Sequence, residues 1–363
     1  MSKHATEEDA LELLRAQMDD LDPAPARGGS NEAIHQGMAQ VDNLAEELPH
    51  ATETKARARK IIGSMFEDVR MGQQINVGPI RETVKVMAES MFTNRDALLT
   101  LAQLKQHDEY TFMHSVNVGV FLMSFHQTLG MDSDQLVEVG IGGMLHDIGK
   151  MRTPPEVLNK EGKLTDEEYG IMKGHVPRGV EILSRSPGIS QTAISICAEH
   201  HERYNGTGYM NKLKGDEISL FGQMAAIVDV YDAITSDRCY HKGNDPHVAL
   251  QRMLQWSERD FNVDLFHKFV QCVGIYPTGS LVKLENGLLA VVITNTTESV
   301  LHPVVKVVYD TNIKQKVEPE IVDLLVCKEE GLHGYKILGR ESSTRWGLTP
   351  RDFMPQPKLF DRV

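Results

Sequence analysis

The chain has 363 residues, of which 41% are hydrophobic and 25% charged, the make-up of an ordinary globular protein with room for two or three domains. Its net charge is −13, and residues 1–50 hold eleven acids against three bases, −8 of that total. A nucleic-acid polymer needs a basic stripe and is therefore not an expected partner, whereas a small phosphorylated ligand needs only a local positive pocket. No run of 18 apolar residues and no basic-then-apolar start is found, so neither a membrane span nor a secretory signal is expected. Cys197, Cys239, Cys272 and Cys327 form no CxxC pair, which predicts reduced thiols in a cytoplasmic protein rather than cysteine-held metal.

In chain order, residues 1–50 read as an acidic flexible leader. A short amphipathic stretch at Leu11, Leu14 and Met18 runs into Asp22-Pro23-Ala24-Pro25 and Arg27-Gly28-Gly29-Ser30, which break helices. Residues 51–97 read as a helical lead-in, with helices over 54–72 and 78–95 carried by Ile61, Ile62, Met65 and Val69. From 98 to 275 the pattern predicts helices over 98–106, 110–129, 133–147, 165–184, 188–201, 219–235, 245–256 and 262–273. Thr165-Asp166-Glu167-Glu168 has the form of a capping box, and Asp132-Ser133-Asp134 marks another helix start. Pro154-Pro155 and Asn205-Gly206-Thr207-Gly208 force loops. After Pro277 the period changes: strands over 280–284 and 288–293 flank Asn286-Gly287, predicting a hairpin with a type I′ turn. Further strands over 304–309 and 321–326 complete a small antiparallel β module at 276–330. Residues 331–363, with Pro350, Pro355 and Pro357, read as a tail. The fold class is thus mainly α, with a small C-terminal antiparallel β module.

Seven residues in the helical part carry ligand chemistry: His114, the pair His146-Asp147, His175, the pair His200-His201, and Asp229. Imidazole nitrogen and carboxylate oxygen suit Fe, Mn, Ni or Zn. A lone buried histidine is more often a hydrogen-bonded core residue, and His107, His126, His241, His247 and His267 are read that way. The adjacent pairs are different. His146-Asp147 closes an apolar helix just before Gly149, where two polar side chains are costly unless something satisfies them. His200 and His201 would project about 100° apart on a helix, so both reach one ion only where the backbone turns, and Asn205 to Gly208 supplies that end. Asp229 sits on an apolar helix, and Asp232, three residues on, is placed to support a ligand rather than to be one. Seven such groups suffice for two ions, and a two-metal centre activates water and clamps a phosphodiester.

These blocks carry a resemblance to a known family. Residues 110–115 around His114, residues 145–150, His175, the run from His200 to Tyr209, and residues 229–238 together resemble the HD-GYP domain, the branch of the HD phosphohydrolase superfamily that degrades cyclic di-GMP. The resemblance covers 98–275 and implies an HD-domain helical bundle there. It implies one ion held by His114, His146, Asp147 and Asp229, with Asp147 bridging to a second held by His175, His200 and His201. A hydroxide between the ions would attack the phosphorus, making Asp147 part of the catalytic set. Lys150 would face the phosphate or the leaving 3′ oxygen. Arg238 would pair with a phosphate through its planar fork, and Tyr209 joins the substrate-binding set. Two divalent ions are implied, iron first and manganese next; Tyr110 stands where members with a third metal have a Glu.

The chain departs from the family pattern around this centre. Gly208-Tyr209-Met210 replaces Gly-Tyr-Pro, Asn205 replaces an Asp, and Cys239-Tyr240-His241, followed by Lys242, replaces Pro-Tyr and a basic residue. The expected function is hydrolysis of cyclic di-GMP to pGpG and onward to GMP. Two alternatives stand beside it: an HD phosphohydrolase of another cyclic nucleotide, and a catalytically weak cyclic di-GMP receptor or diguanylate-cyclase-docking module. A homodimer and a contact with a diguanylate cyclase are the open partner expectations.

Overall fold

Val41, Leu44, Leu48, Ala51, Ala58, Ile62, Met65 and Val69 recur at spacings of three, four and seven residues, and all are buried. They form one face of a single helix, α1 (Ser30–Arg70), in a computed structural model that describes residues 30–104, 110–236, 243–295 and 299–355. The expected leader over 1–50 is corrected from Ser30 onward. Pro49 lies inside α1 without ending it. An interior proline costs about 3 kcal/mol, and burying Leu44, Leu48, Ile62 and Phe66 returns about 1.5–3 kcal/mol each.

The remaining helices follow the sequence reading closely. They are α2 (Gly78–Thr93), α3 (Arg95–Gln103), α4 (Tyr110–Thr128), α5 (Leu136–Leu145), α6 (Pro155–Leu158), α7 (Asp166–Lys173), α8 (His175–Ser184), α9 (Gln191–Glu199), α10 (Leu220–Thr235), α11 (Pro246–Asp260) and α12 (Val263–Val273). The expected helix over 165–184 breaks at Gly174 into α7 and α8. The capping box at Thr165 and Glu168 forms as its sequence suggests. Helix α4 is apolar nearly all round, with Val116, Val118, Val120, Phe121, Leu122, Met123 and Phe125 fully buried. It therefore runs through the middle, against α1, α5, α10 and α12. Among the described residues no helix is long and apolar enough to cross a membrane.

Five antiparallel strands follow, in the spatial order β4-β3-β2-β1-β5. They are β1 (Leu281–Leu284), β2 (Leu288–Thr294), β3 (Val304–Asp310), β4 (Gln315–Asp323) and β5 (Ile337–Arg340), with helix α13 (Leu324–Glu329) between β4 and β5 and helix α14 (Ser343–Trp346) after β5. Three expectations change here. The β1–β2 turn is not type I′: the Gly287 amide donates to Leu284 O at 3.0 Å, and Gly287 alone takes a positive φ, of 88°. That is a three-residue loop with glycine in the left-handed position. Residues 324–326 are helical, because the Asp323 carboxylate accepts from the Leu325 and Val326 amides and stops β4. The tail over 331–363 is partly sheet, since β5 pairs with β1. The module is docked on the helices by Gln103, which donates to Val273 O at 3.1 Å and accepts from the Thr278 amide at 2.9 Å, and by an Arg340–Asp245 ion pair of 2.8 Å.

Candidate metal centre

The seven predicted ligands come together from five helices. His114 lies on α4 and Asp229 in the middle of α10. His146 caps the C-terminus of α5, and Asp147 follows it with φ −100° and ψ 8°, out of helical geometry. His175 opens α8, and His200 with His201 follows the end of α9. Gly149 makes the meeting of α5 and α8 possible: a Cβ there would stand 1.9 Å from His175 O. No side chain fits, so glycine lets the turn after Asp147 press against the start of α8.

Four of the five rings are held from behind. Nδ1 of His146 lies 2.7 Å from Gly143 O, Nδ1 of His175 2.8 Å from Met172 O, and Nδ1 of His200 2.9 Å from Cys197 O. A carbonyl only accepts, so each Nδ1 carries a proton and each Nε2 is the nitrogen turned inward. For His146 and His200 these are carbonyls of the last helical turn, which lack intrahelical partners. His114 is fixed differently. Its Nδ1 lies 2.7 Å from Asp232 Oδ2, while Asn117 Nδ2 and Ser236 Oγ donate to the same carboxylate at 3.3 and 3.2 Å.

Facing inward, the donor atoms fall into two groups that share a carboxylate. Asp147 Oδ2 lies 3.8 Å from His114 Nε2 and 3.3 Å from His146 Nε2. Its other oxygen, Oδ1, lies 3.3 Å from His175 Nε2 and 3.7 Å from His200 Nε2. Asp229 Oδ1 completes the first side at 3.2 Å from His114 Nε2 and 3.6 Å from His146 Nε2. His201 belongs with His175, His200 and Asp147, its Nδ1 3.9 Å from Asp229 Oδ2. Lys150 Nζ reaches Asp147 Oδ2 at 2.5 Å. All seven are buried except His201, which is partly exposed.

The electrostatics fit a cation. Burial pulls His200 well below its ordinary value, with His201 and His146 adding to the effect, and it takes His201 down to about 3. Burial opposes charge on His146 too, but Asp147 and Asp229 outweigh it and raise that ring to about 10. Asp147 and Asp229 stay ionised despite burial, Asp147 chiefly through Lys150 and His146, Asp229 through His114 and His146. Two atoms remain orphaned at the centre: His146 Nε2 and Asp147 Oδ1 are buried without a hydrogen-bond partner. The Nε2 atoms of His175 and His200 stand 3.4 Å apart. With both protons on Nδ1, two lone pairs face each other, an arrangement that repels unless positive charge lies between them. The nitrogen and oxygen donor set thus fits two divalent ions.

Beside the centre, the loop after His201 follows a recognisable local logic. Asn205 Oδ1 accepts from the Thr207 amide at 2.9 Å and its hydroxyl at 2.6 Å, an Asx turn that an Asp would make equally well. Tyr209 stacks on His201, ring centroids 4.6 Å apart and planes at 30°. Burial, with Tyr169 and the carboxylates nearby, pushes its phenol upward, so it stays protonated. The Tyr209–Met210 peptide is cis, and Met210 is exposed. Sequence reasoning passed over Glu202, which is fully buried and accepts from the Asn211 and Leu213 amides at 2.7 and 3.1 Å. A Glu directly after the histidine pair, ahead of a glycine-rich loop, was its only signal. Arg238, Cys239, Tyr240, His241 and Lys242 lie outside the described residues, as do His107 and the Tyr110 side chain. His126 and His247 are core histidines, bonded to Asp132 O and Ile275 O.

Comparison with known proteins agrees with this geometry. The profile of the HD domain family matches residues 39–264. The cyclic di-GMP phosphodiesterase PA4108 of Pseudomonas aeruginosa is 41% identical over 311 residues, 86% of this chain and 74% of its own length. A cyclic di-GMP phosphodiesterase of Thermotoga maritima is 34% identical over 191 residues, 51% of this chain and 52% of that one. The 3'3'-cGAMP-specific phosphodiesterase 2 of Vibrio cholerae is 35% identical over 167 residues, 46% of this chain and 32% of that one. Among solved structures, Bd1817, a HDG"Y"P protein from Bdellovibrio bacteriovorus, superposes with a TM-score of 0.52 at 16% identity, covering 64% of this chain and 76% of that one, a likeness of fold. The chain belongs to the HD domain family, in the HD-GYP branch that its motifs resemble.

Proposed function

We propose that this HD-domain phosphodiesterase opens cyclic di-GMP to linear pGpG, with hydrolysis onward to GMP. The observation that carries the reading is the Asp147 carboxylate, which turns one oxygen to His114 and His146 and the other to His175 and His200. Two divalent ions, iron first and manganese next, would be held by His114, His146, Asp147 and Asp229 on one side and by Asp147, His175, His200 and His201 on the other. Such ions supply an acidified water as nucleophile and positive charge for the phosphoryl oxygens. The protein's own part is orientation. Backbone carbonyls behind His146, His175 and His200 and the Asp232 carboxylate behind His114 fix each ring before substrate arrives. Lys150 brings an ammonium to the same carboxylate oxygen that faces His146, where it offsets charge on the phosphate or on the leaving 3′ oxygen. Arg238 would pair with a phosphate and Tyr209 would line the substrate's side of the centre.

The similarity to a 3'3'-cGAMP-specific enzyme favours a second reading, in which the substrate is a hybrid cyclic dinucleotide. One experiment tests both. The protein is purified without oxygen, Fe and Mn are counted per chain, and cyclic di-GMP and 3'3'-cGAMP are followed by chromatography. The expected result is about two metals and pGpG or GMP from cyclic di-GMP, lost in His146→Ala. Bound metal and bound cyclic di-GMP without product would point instead to a receptor.

A further inference from the structure

A line of rings runs outward from the metal centre and ends at solvent. His201, grouped with the ligands, carries Tyr209 stacked on it at 4.6 Å. Tyr209 meets Tyr169 of α7 edge-on, with centroids 6.5 Å apart and planes at 79°. Tyr169 is 47% exposed, so much of its ring is uncovered. Lys173, one turn further along α7, places Nζ 4.8 Å from the centre of the Tyr169 ring and 5.9 Å from that of Tyr209. Among the described residues no carboxylate pairs with Lys173. A half-exposed aromatic ring and an uncompensated ammonium therefore lie together at the rim of the site.

We propose that Tyr169 and Lys173 form a purine platform, in which the open Tyr169 ring stacks a guanine of the cyclic dinucleotide and the Lys173 ammonium meets the phosphodiester that is not cut. The inference rests on the proposed function. Only one of the substrate's two phosphodiesters can occupy the metal centre at a time, so the rest of the ring must lie against the rim. A flat base and a second phosphate are matched there by an aromatic face and a cation. Base stacking on an aromatic side chain tolerates any base, so this platform grips purine dinucleotides as a class and leaves finer selection to other groups. Tyr169 and Lys173 sit four residues apart on one helix face, and α7 is anchored at its start by the Thr165–Glu168 capping box and by Lys160 on Glu168.

The test compares full-length wild-type, Tyr169→Ala, Tyr169→Phe and Lys173→Ala proteins, each with its metals counted. Two substrates are used: cyclic di-GMP and methyl 4-nitrophenyl phosphate, a diester without a purine. Tyr169→Ala is expected to raise KM for cyclic di-GMP about tenfold, the size of one lost stack, and to lower the preference for cyclic di-GMP over the small diester by a similar factor. Tyr169→Phe keeps the ring and should stay near wild type, while Lys173→Ala should raise KM and weaken its dependence on salt. The proposal is overturned if Tyr169→Ala leaves KM within twofold. It is equally overturned if Tyr169→Ala depresses both substrates equally, which marks a packing role, or if Tyr169→Phe loses as much as Tyr169→Ala. Wild-type protein that cleaves cyclic di-GMP while Tyr169→Ala keeps its KM sinks the platform alone. Wild-type protein that does not cleave it sinks the proposed function and the platform with it.

Discussion

The cradle of seven ligands and the rim beside it are built on opposite principles. In the cradle, side chains hang from helix ends and interiors, His146, His175 and His200 are at most 1% exposed, and every ring nitrogen not aimed inward on these three is tied to a carbonyl. At the rim, Tyr169 and Met210 are 47% and 42% exposed, and Met210 stands where the family has proline. Burial makes the cradle intolerant of change, because a buried carboxylate or imidazole without its partner costs several kcal/mol. Exposure leaves the rim free to vary. On the proposed reading the difference separates two tasks: the core of the fold would hold the reaction centre, and the surface loop and α7 would address the substrate.

Three substitutions grade that contrast. Asp147→Ala removes the carboxylate that the two ligand groups share, and turnover of cyclic di-GMP should fall at least about a thousandfold, the scale expected when a metal-activated nucleophile is lost. Steady-state kinetics by chromatography checks it; residual activity within tenfold of wild type would break the distinction between cradle and rim. Asp232→Ala leaves all seven ligands in place but frees the His114 ring, and metal affinity should drop about 10–100-fold, read by competition with a chelator. Glu202→Ala lies between the two regions, for the buried side chain ties the loop at Asn211 and Leu213 to the histidine pair. It should cost about 2 kcal/mol of stability by leaving two amides unpaired, seen in thermal or denaturant unfolding. Metals per chain should stay as in wild type, and a loss of metal equal to that of Asp147→Ala would mean that the loop and the cradle are one unit.

Much of the cradle was legible because of where its polar residues fall. His146-Asp147 and His200-His201 interrupt apolar helices at their ends, and hydrophobic period marks those ends well. What stayed hidden is tertiary or backbone in origin. The carbonyls of Gly143, Met172 and Cys197 have no side-chain signature, so the device that aims three rings cannot be read from residue types. Nothing in the sequence singles out Lys173, and only the fold brings it and Tyr169 against Tyr209, 36 residues further on than Lys173. The start of α1 was missed because Pro49 and the acids around it masked the stripe of Val41, Leu44 and Leu48. In the β module, an Asn-Gly pair suggested a two-residue turn, but the hydrogen bond closes one residue earlier, at Leu284. Asp323 likewise turned an apolar run into a helix by capping it.

The central claim is that one carboxylate joins two metal sites, and counting metals tests it most directly. Wild-type protein and Asp147→Ala, both prepared without oxygen and supplied with iron and manganese, are compared by elemental analysis per folded chain. The account predicts about two ions in the wild type and at most one in the variant, since both sites lose a ligand and the bridge between them. Two ions retained in Asp147→Ala, or none in the wild type, would contradict it.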